Sequence, residues 1–523
     1  MMISRFKGSL LLSAIGDALG WMTEFERDRS SLSEKFGVNK IDQFYDWEKQ
    51  VGGRYYGFID RIKGGSYSDD TQLSFAVARS IKENGDIDNE LFSKIELADW
   101  LYYARGGGRT IKVAANKIQR KSAKWNTNFF NFKIGDNKID YRDCGANGAA
   151  MRILPIALSN IGNSENIKKN IFTNSIITHG HGRAIIGALV YGNAINQVFN
   201  YTKDDFDTLD FLTDFGKNIR NNLTLDFNEI NGIAEWLEKW NSSWVINFET
   251  HYSEIIEEVH LQLQGLFKAI RDETPYKKVL SDLGCFRNET KGSGTATVLA
   301  GLYLFLINYN KPLDGIINAV NSLGSDTDSI AAFTGGLFGS LYGDSIIPEK
   351  WMEIQDRKYL EKTGENLFNI NQGNGSTATF NLNAITNGID ELNKDNLNVD
   401  DSFSFQPLGL GKVVNIERQP VLTKGKYALI VDIDFELGQT CRFSKVCEGS
   451  VENIYKNVFK KNSTEILTLA ENKLSEEGLT VLKTLLDDIS NGYSNSIILS
   501  EDVLIVLKKV FKTGFITPTP PDG

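Results

Sequence analysis

The sequence is poor in the residues that staple or cage a fold. Four cysteines, Cys144, Cys285, Cys441 and Cys447, are spread over 523 residues. They form neither a disulfide framework nor a CxxC pair, so a reducing compartment, the cytoplasm, is the expected location. The four histidines form no HExxH motif and no Cys/His cluster, which argues against a zinc enzyme. Long basic runs are missing and the net charge is −10, so a phosphate-neutralising surface for nucleic acid is not expected. No apolar stretch reaches the roughly eighteen residues of a membrane span. Arg5 and Lys7 do precede the apolar run GSLLLSAIG, and Ala18-Leu19-Gly20 loosely resembles a cleavage site. That run is nine residues long and Asp17 breaks the pattern, so a secretory leader is the weaker reading.

What is present is ample core material, at 41% hydrophobic and 11% aromatic residues, enough for two or three domains. Residues 3–20 read as a helix apolar nearly all round, hence buried. Asp17 inside it needs a hydrogen-bonding partner. Helical patterns follow at 71–82, in LFSKIELADWLYYA, at 110–120, from about 182, at 292–308 and in DTDSIAAFTGGLFGSLYG. The segments 28–67 and 125–146 read as turn-rich or irregular, and no strong strand is expected before residue 355. Residues 1–362 therefore form an all-α domain in this reading. An Asn/Gly-rich linker, 363–402, contains NINQGNGSTATFNLNAITNG. Residues 403–523 read as an α+β domain with a Pro-rich tail, TPTPPDG. In it Val431, Ile433, Phe435 and Leu437 alternate with Asp432, Asp434 and Glu436, a strand with an acidic solvated face. SEEGLTVLKTLLDDISNG and SEDVLIVLKKVF read as helices.

Two acidic helix starts stand out. YSDDTQLSF sets Asp69 beside Asp70 just before a helix, and GSDTDSIAA sets Asp326 and Asp328 before another. Each acid could be a simple N-terminal cap, since negative charge suits that end of a helix. Hydroxyls flank both pairs, so the same residues could hold divalent cations. Carboxylate and hydroxyl oxygens without His or Cys favour Mg2+ or Mn2+.

Five stretches, GSLLLSAIGDALGWMTEF, YSDDTQ, NGAAMRILPIAL, THGHGRAIIGALVYG and GSDTDSIAAFTGGLFGSLYG, occur in the order found in the ADP-ribosylglycohydrolase family, which the chain resembles. The resemblance implies an all-α, orthogonally packed helical bundle with a two-metal cleft, carrying here an additional C-terminal α+β domain. By that resemblance Ser68, Asp69, Asp70, Asp326, Asp328 and Ser329 are ligands to two Mg2+, with Mn2+ as the alternative. Glu24 is the base or water-positioning group, acting with Asp69 and Asp328. Gly106, Gly107, Asn147, Gly148, Ala149, Met151 and His179 border the ADP-ribose. Arg152 pairs either with phosphate or with a buried acid such as Asp17. Family members commonly carry a proline soon after GDALG, where this chain has Trp21-Met22-Thr23.

The implied reaction is hydrolysis of the bond between ADP-ribose and an acceptor, most simply arginine on a protein. The implied partner is an ADP-ribosylated protein or a small ADP-ribosyl compound. Two other classes stay open: a binding module that has lost chemistry, and an interaction or immunity protein that neutralises an ADP-ribosyltransferase toxin.

Overall fold

The computed structural model describes residues 2–242, 245–375, 392, 397–449, 463–471 and 473–492. Its first element, helix Met2–Trp21, buries Leu12, Ile15, Leu19 and Trp21 on different sides. It runs along helix Thr327–Tyr342, which is likewise buried through most of its length. Their contact is backbone on backbone. Gly16 abuts the Ala331 carbonyl, Gly335 the Leu12 carbonyl, and Gly339 the main chain of Gly8, so that a Cβ at any of the three would overlap its neighbour. Helix Gly294–Ile307 packs on both Gly182–Val198 and Thr327–Tyr342, and Arg357–Asn371 packs on the first helix, which corrects the expected boundary at 362: residues 363–371, read as linker, are helix and bury Leu367 and Ile370.

The helices expected from periodicity form close to their expected bounds, among them Asp69–Arg79, Arg109–Ile118, Gly182–Val198 and Gly294–Ile307. Pro155 falls in the first turn of Leu154–Ser159, where its missing N–H costs nothing. The strandless reading of 28–67 and 125–146 is corrected. Strand β1 (Trp47–Val51) pairs with β2 (Phe58–Ile62), and β3 (Asn131–Ile134) with β4 (Asn137–Asp140), both antiparallel. Each strand has four or five residues, too few for alternation to stand out, and β3 and β4 bury almost nothing.

Beyond residue 400, β5 (Ser402–Phe405), β6 (Gly409–Pro420), β7 (Lys426–Phe435) and β8 (Thr440–Glu448) form one antiparallel sheet in chain order. Val431, Ile433 and Phe435 are buried while Asp434 and Glu436 are exposed, as the alternation predicts. Asp432 departs from that pattern. Its side chain is mostly buried and receives Arg442. The sheet shares an apolar core with the helices. The Tyr103 ring lies 5.9 Å from that of Phe443 and 6.1 Å from that of Phe405. Arg79, paired with buried Glu96, reaches Gln439 at 2.7 Å. Helix Glu476–Gly492 matches the expected one. SEDVLIVLKKVF, the Pro-rich tail and most of NINQGNGSTATFNLNAITNG lie outside the described residues.

Since overfilling a packed contact costs about 1–3 kcal/mol, Gly16→Val should lower the denaturant midpoint by a matching amount. An unchanged midpoint would contradict the backbone contact between the two helices.

Candidate active site

The two buried helices deliver the acids. Helix Met2–Trp21 ends beside the start of Thr327–Tyr342, where Gly20 abuts the Cα of Asp328. Thr23 locks the turn that follows. Its hydroxyl donates to the Val320 carbonyl at 2.6 Å, and its N–H donates to the Gly20 carbonyl at 2.9 Å. Thr327 donates to the same Gly20 carbonyl at 2.9 Å. The side chain of Thr23 thus secures the turn, and Glu24 emerges from it into the cleft.

Asp17 finds its partners in the other acidic helix start. Its carboxylate accepts the N–H of Ser68 at 3.1 Å, the N–H of Thr71 at 3.1 Å and the Thr71 hydroxyl at 2.6 Å. These are amides at the N-terminus of helix Asp69–Arg79, which an acid satisfies well. Ser68 caps the helix locally through its Oγ, leaving Asp69 and Asp70 free of that duty. Asp69 turns to the loop at Gly106–Gly107 and accepts the Gly107 N–H at 2.7 Å. Asp70 accepts the Ser329 hydroxyl at 2.8 Å, which joins the two starts directly. Asp326 accepts Asn147 Nδ2 at 3.0 Å.

Glu24, Asp69, Asp70, Asp326, Asp328 and Ser329 all border one cleft of about 560 Å³. Gly106, Gly107, Asn147, Gly148, Met151 and His179 border it too. Ser68 is fully buried one layer back, and Ala149 is enclosed behind the wall. Arg152 takes neither role considered for it. It is fully buried and donates to the Gly148 carbonyl at 2.6 Å, to Asn174 Oδ1 and carbonyl, and to Thr178. Neutral oxygens satisfy its donors without a paired acid, and it fixes the Asn147–Gly148 turn. His179 sets Nδ1 against Thr178 at 2.8 Å, while its buried Nε2 has no protein partner.

Several bordering groups carry no sequence signal. Lys49, Arg105, Lys112 and Arg442 surround the acidic floor, yet each sits in an unremarkable stretch. Lys49 arrives on β1, the strand that periodicity does not reveal.

The electrostatics follow from burying like charges. Burial, then the charge of Asp328, holds Glu24 well above the usual carboxylate range, and Lys49 partly offsets this. Burial and Asp328 likewise raise Asp70. Burial and then the charge of Asp326 raise Asp328. Burial lifts Asp69 and Asp326 to about 6 each. Burial and then Arg152 push His179 well below its ordinary value, so its ring is neutral.

Among the described residues, no three His, Cys, Asp or Glu side chains close around a single point. Glu24, Asp69, Asp70, Asp326 and Asp328 nonetheless border the same cleft, and Mg2+ characteristically keeps several waters and takes one or two carboxylates. The donor chemistry, all carboxylate and hydroxyl oxygen, also fits a hard divalent cation.

Between its unfolded pKa near 4 and its folded pKa a raised acid is protonated when folded and ionised when unfolded, so its cost to stability grows across that window and is fully present above it. In chelator, Asp326→Asn should therefore be more stable than wild type at pH 7.5, by on the order of 1–3 kcal/mol. The advantage should shrink toward pH 5 as folded Asp326 gains its proton at about 6. Comparing the two proteins at each pH cancels the opposing effect of the buried histidines. An advantage that does not vary with pH would contradict the assignment.

A family model described as ADP-ribosylglycohydrolase matches residues 2–377. An ADP-ribosyl-[dinitrogen reductase] glycohydrolase of Rhodospirillum rubrum is 29% identical over 195 residues, covering 37% of this chain and 58% of that protein. The ADP-ribosylarginine hydrolase Tri1 of Serratia proteamaculans is 23% identical, covering 70% of this chain and 79% of its own length. For the ADP-ribosylhydrolase ARH3 of Xenopus tropicalis the figures are 22%, 70% and 96%. A solved ADP-ribosylglycohydrolase-related protein complex covers 71% of this chain and 99% of its own, at 17% identity and a TM-score of 0.45. With the match over residues 2–377, the chain belongs to the ADP-ribosylglycohydrolase family.

Proposed function

We propose that this protein hydrolyses the glycosidic bond between ADP-ribose and an acceptor, arginine on a modified protein being favoured, with two divalent cations, Mg2+ or Mn2+, at the cleft floor. The observation that carries the reading is the convergence of Glu24, Asp69, Asp70, Asp326 and Asp328 on one cleft. The family supports the bond that is cleaved. The relative named an ADP-ribosylarginine hydrolase supports the acceptor.

In this reading Asp69, Asp70, Asp326, Asp328 and Ser329 hold the cations, and Ser68 braces the turn behind them. When bound, divalent cations supply charge that orients the distal ribose hydroxyls and activates water. Glu24, which borders the cleft beside these acids, is the group placed to take a proton from the attacking water. The anionic floor steadies the oxocarbenium-like charge that grows on the ribose as the bond breaks. Gly106–Gly107 and Asn147–Gly148 offer main chain that phosphate oxygens can approach closely. Neutral His179 presents Nε2 for one hydrogen bond to the ligand, and Lys49 and Lys112 balance the charge of the pyrophosphate.

Asp69→Asn or Asp328→Asn should remove Mg2+ binding at one position, read by calorimetry, together with most turnover. Unchanged Mg2+ binding in both variants would sink the two-cation reading. Glu24→Gln should keep ADP-ribose affinity within about tenfold and slow hydrolysis by ~10²-fold or more. Wild-type turnover in this variant would assign the base elsewhere.

A further inference from the structure

Four charged side chains link the C-terminal sheet to the cleft. Asp432 on β7 receives Arg442 Nε at 2.6 Å and Nη2 at 2.7 Å. Arg442, on β8, also donates Nη1 to Asp60 Oδ1 at 2.6 Å and to the Arg61 carbonyl at 2.7 Å. Asp60, on β2, receives Arg105 through Nε and Nη2, each at 3.3 Å. Arg105 is followed by Gly106 and Gly107, and the Gly107 N–H holds Asp69 Oδ1 at 2.7 Å. All four charged side chains are more than four-fifths removed from water, at 6–17% exposure. Pairs that are this enclosed are screened weakly, and planar guanidinium–carboxylate contacts are directional.

The distances are unequal in an informative way. Asp60 lies close to Arg442 and 0.7 Å farther from Arg105 (3.3 against 2.6 Å), so the two arginines compete for one carboxylate. Loss of Arg442 would let Asp60 close on Arg105 and draw the Arg105–Gly107 loop with it. A catalytic carboxylate tolerates about 0.5 Å of misplacement. Resting on the hydrolase reading above, we infer that Arg442 is a positioning residue: the C-terminal sheet, through Asp60 and Arg105, sets where Gly107 holds the Asp69 carboxylate. The sheet is thereby a working part of the cleft.

The test uses the full chain. Arg442 itself borders the cleft, so Asp432→Asn, whose site does not, is compared with Arg442→Ala. Gln419→Ala is the control. It breaks the sheet's bonds to the Ile59 N–H and carbonyl, at 3.0 and 2.7 Å, and leaves the charged chain intact. Amide hydrogen exchange over residues 104–108 is read first, because it needs no substrate. Arg442→Ala and Asp432→Asn should speed it at least about fivefold, and Gln419→Ala should not. On an ADP-ribosylated guanidine, the same two variants should lose kcat ~10-fold with KM within about twofold. Arg442→Lys, which keeps charge but not the two-sided geometry, should fall between and serves if Arg442→Ala fails to fold. Unaltered exchange at 104–108 in Asp432→Asn and Arg442→Lys would overturn the inference, as would an equal effect of Gln419→Ala. No turnover of any ADP-ribosyl compound by wild type would refute the hydrolase reading while leaving the exchange result to decide this one.

Discussion

The main chain of helix Met2–Trp21 rests directly on that of Thr327–Tyr342, and the cleft inherits its geometry from that contact. Glycines at 8, 16, 20, 335 and 339 remove the side chains that would hold the helices apart. The close approach sets the end of one helix against the start of the other, so Asp17, Glu24, Asp326 and Asp328 gather within a few residues of one crossing. Asp17 extends the arrangement by gripping the amides that open helix Asp69–Arg79. Ser329 and Asp70 close it from the other side. Three helices are thus tied at their polar ends, while their bodies are packed in the apolar core.

Gathering these acids in one buried place is electrostatically adverse. Burial raises the five carboxyls of the cleft at once. A fold optimised for stability alone would not place them so. Such concentration of perturbed acids in one cleft is the mark of a working site. The surrounding lysines and arginines offset part of the charge without entering the floor, leaving the acids turned toward the cleft. Arg442 and Ser444 in the cleft wall bring the C-terminal sheet into the same balance.

Much of this was legible in the sequence, for physical reasons. A helix apolar all round can only be buried, so GSLLLSAIGDALG and FTGGLFGSLYG announce the central pair, and their glycines announce close approach. Acids flanked by hydroxyls at two helix starts allowed either simple caps or cation ligands, and Asp69, Asp70, Asp326 and Asp328 border one cleft. The roles given to Gly106, Asn147 and His179 came through family resemblance, since a lone glycine or histidine carries no role of its own. The hairpin at 47–62 was not legible, because WEKQV and FIDRI are short and show charge on their exposed faces. With it went Lys49 and Asp60. Arg152 misled in a different way: a buried cation suggests an acid, whereas here carbonyl and amide oxygens satisfy it. Asp432 read as solvated because its partner Arg442 lies ten residues on, across a strand pair that periodicity does not register.

The central claim is cation-dependent release of ADP-ribose. The most direct measurement incubates the full chain with ADP-ribose linked to arginine, serine, a nucleobase and acetate, and follows free ADP-ribose in Mg2+, in chelator, and after Mg2+ is restored. The account predicts release from the arginine conjugate that stops in chelator and returns with Mg2+. Release that persists undiminished in chelator, or no release from any conjugate, would contradict it.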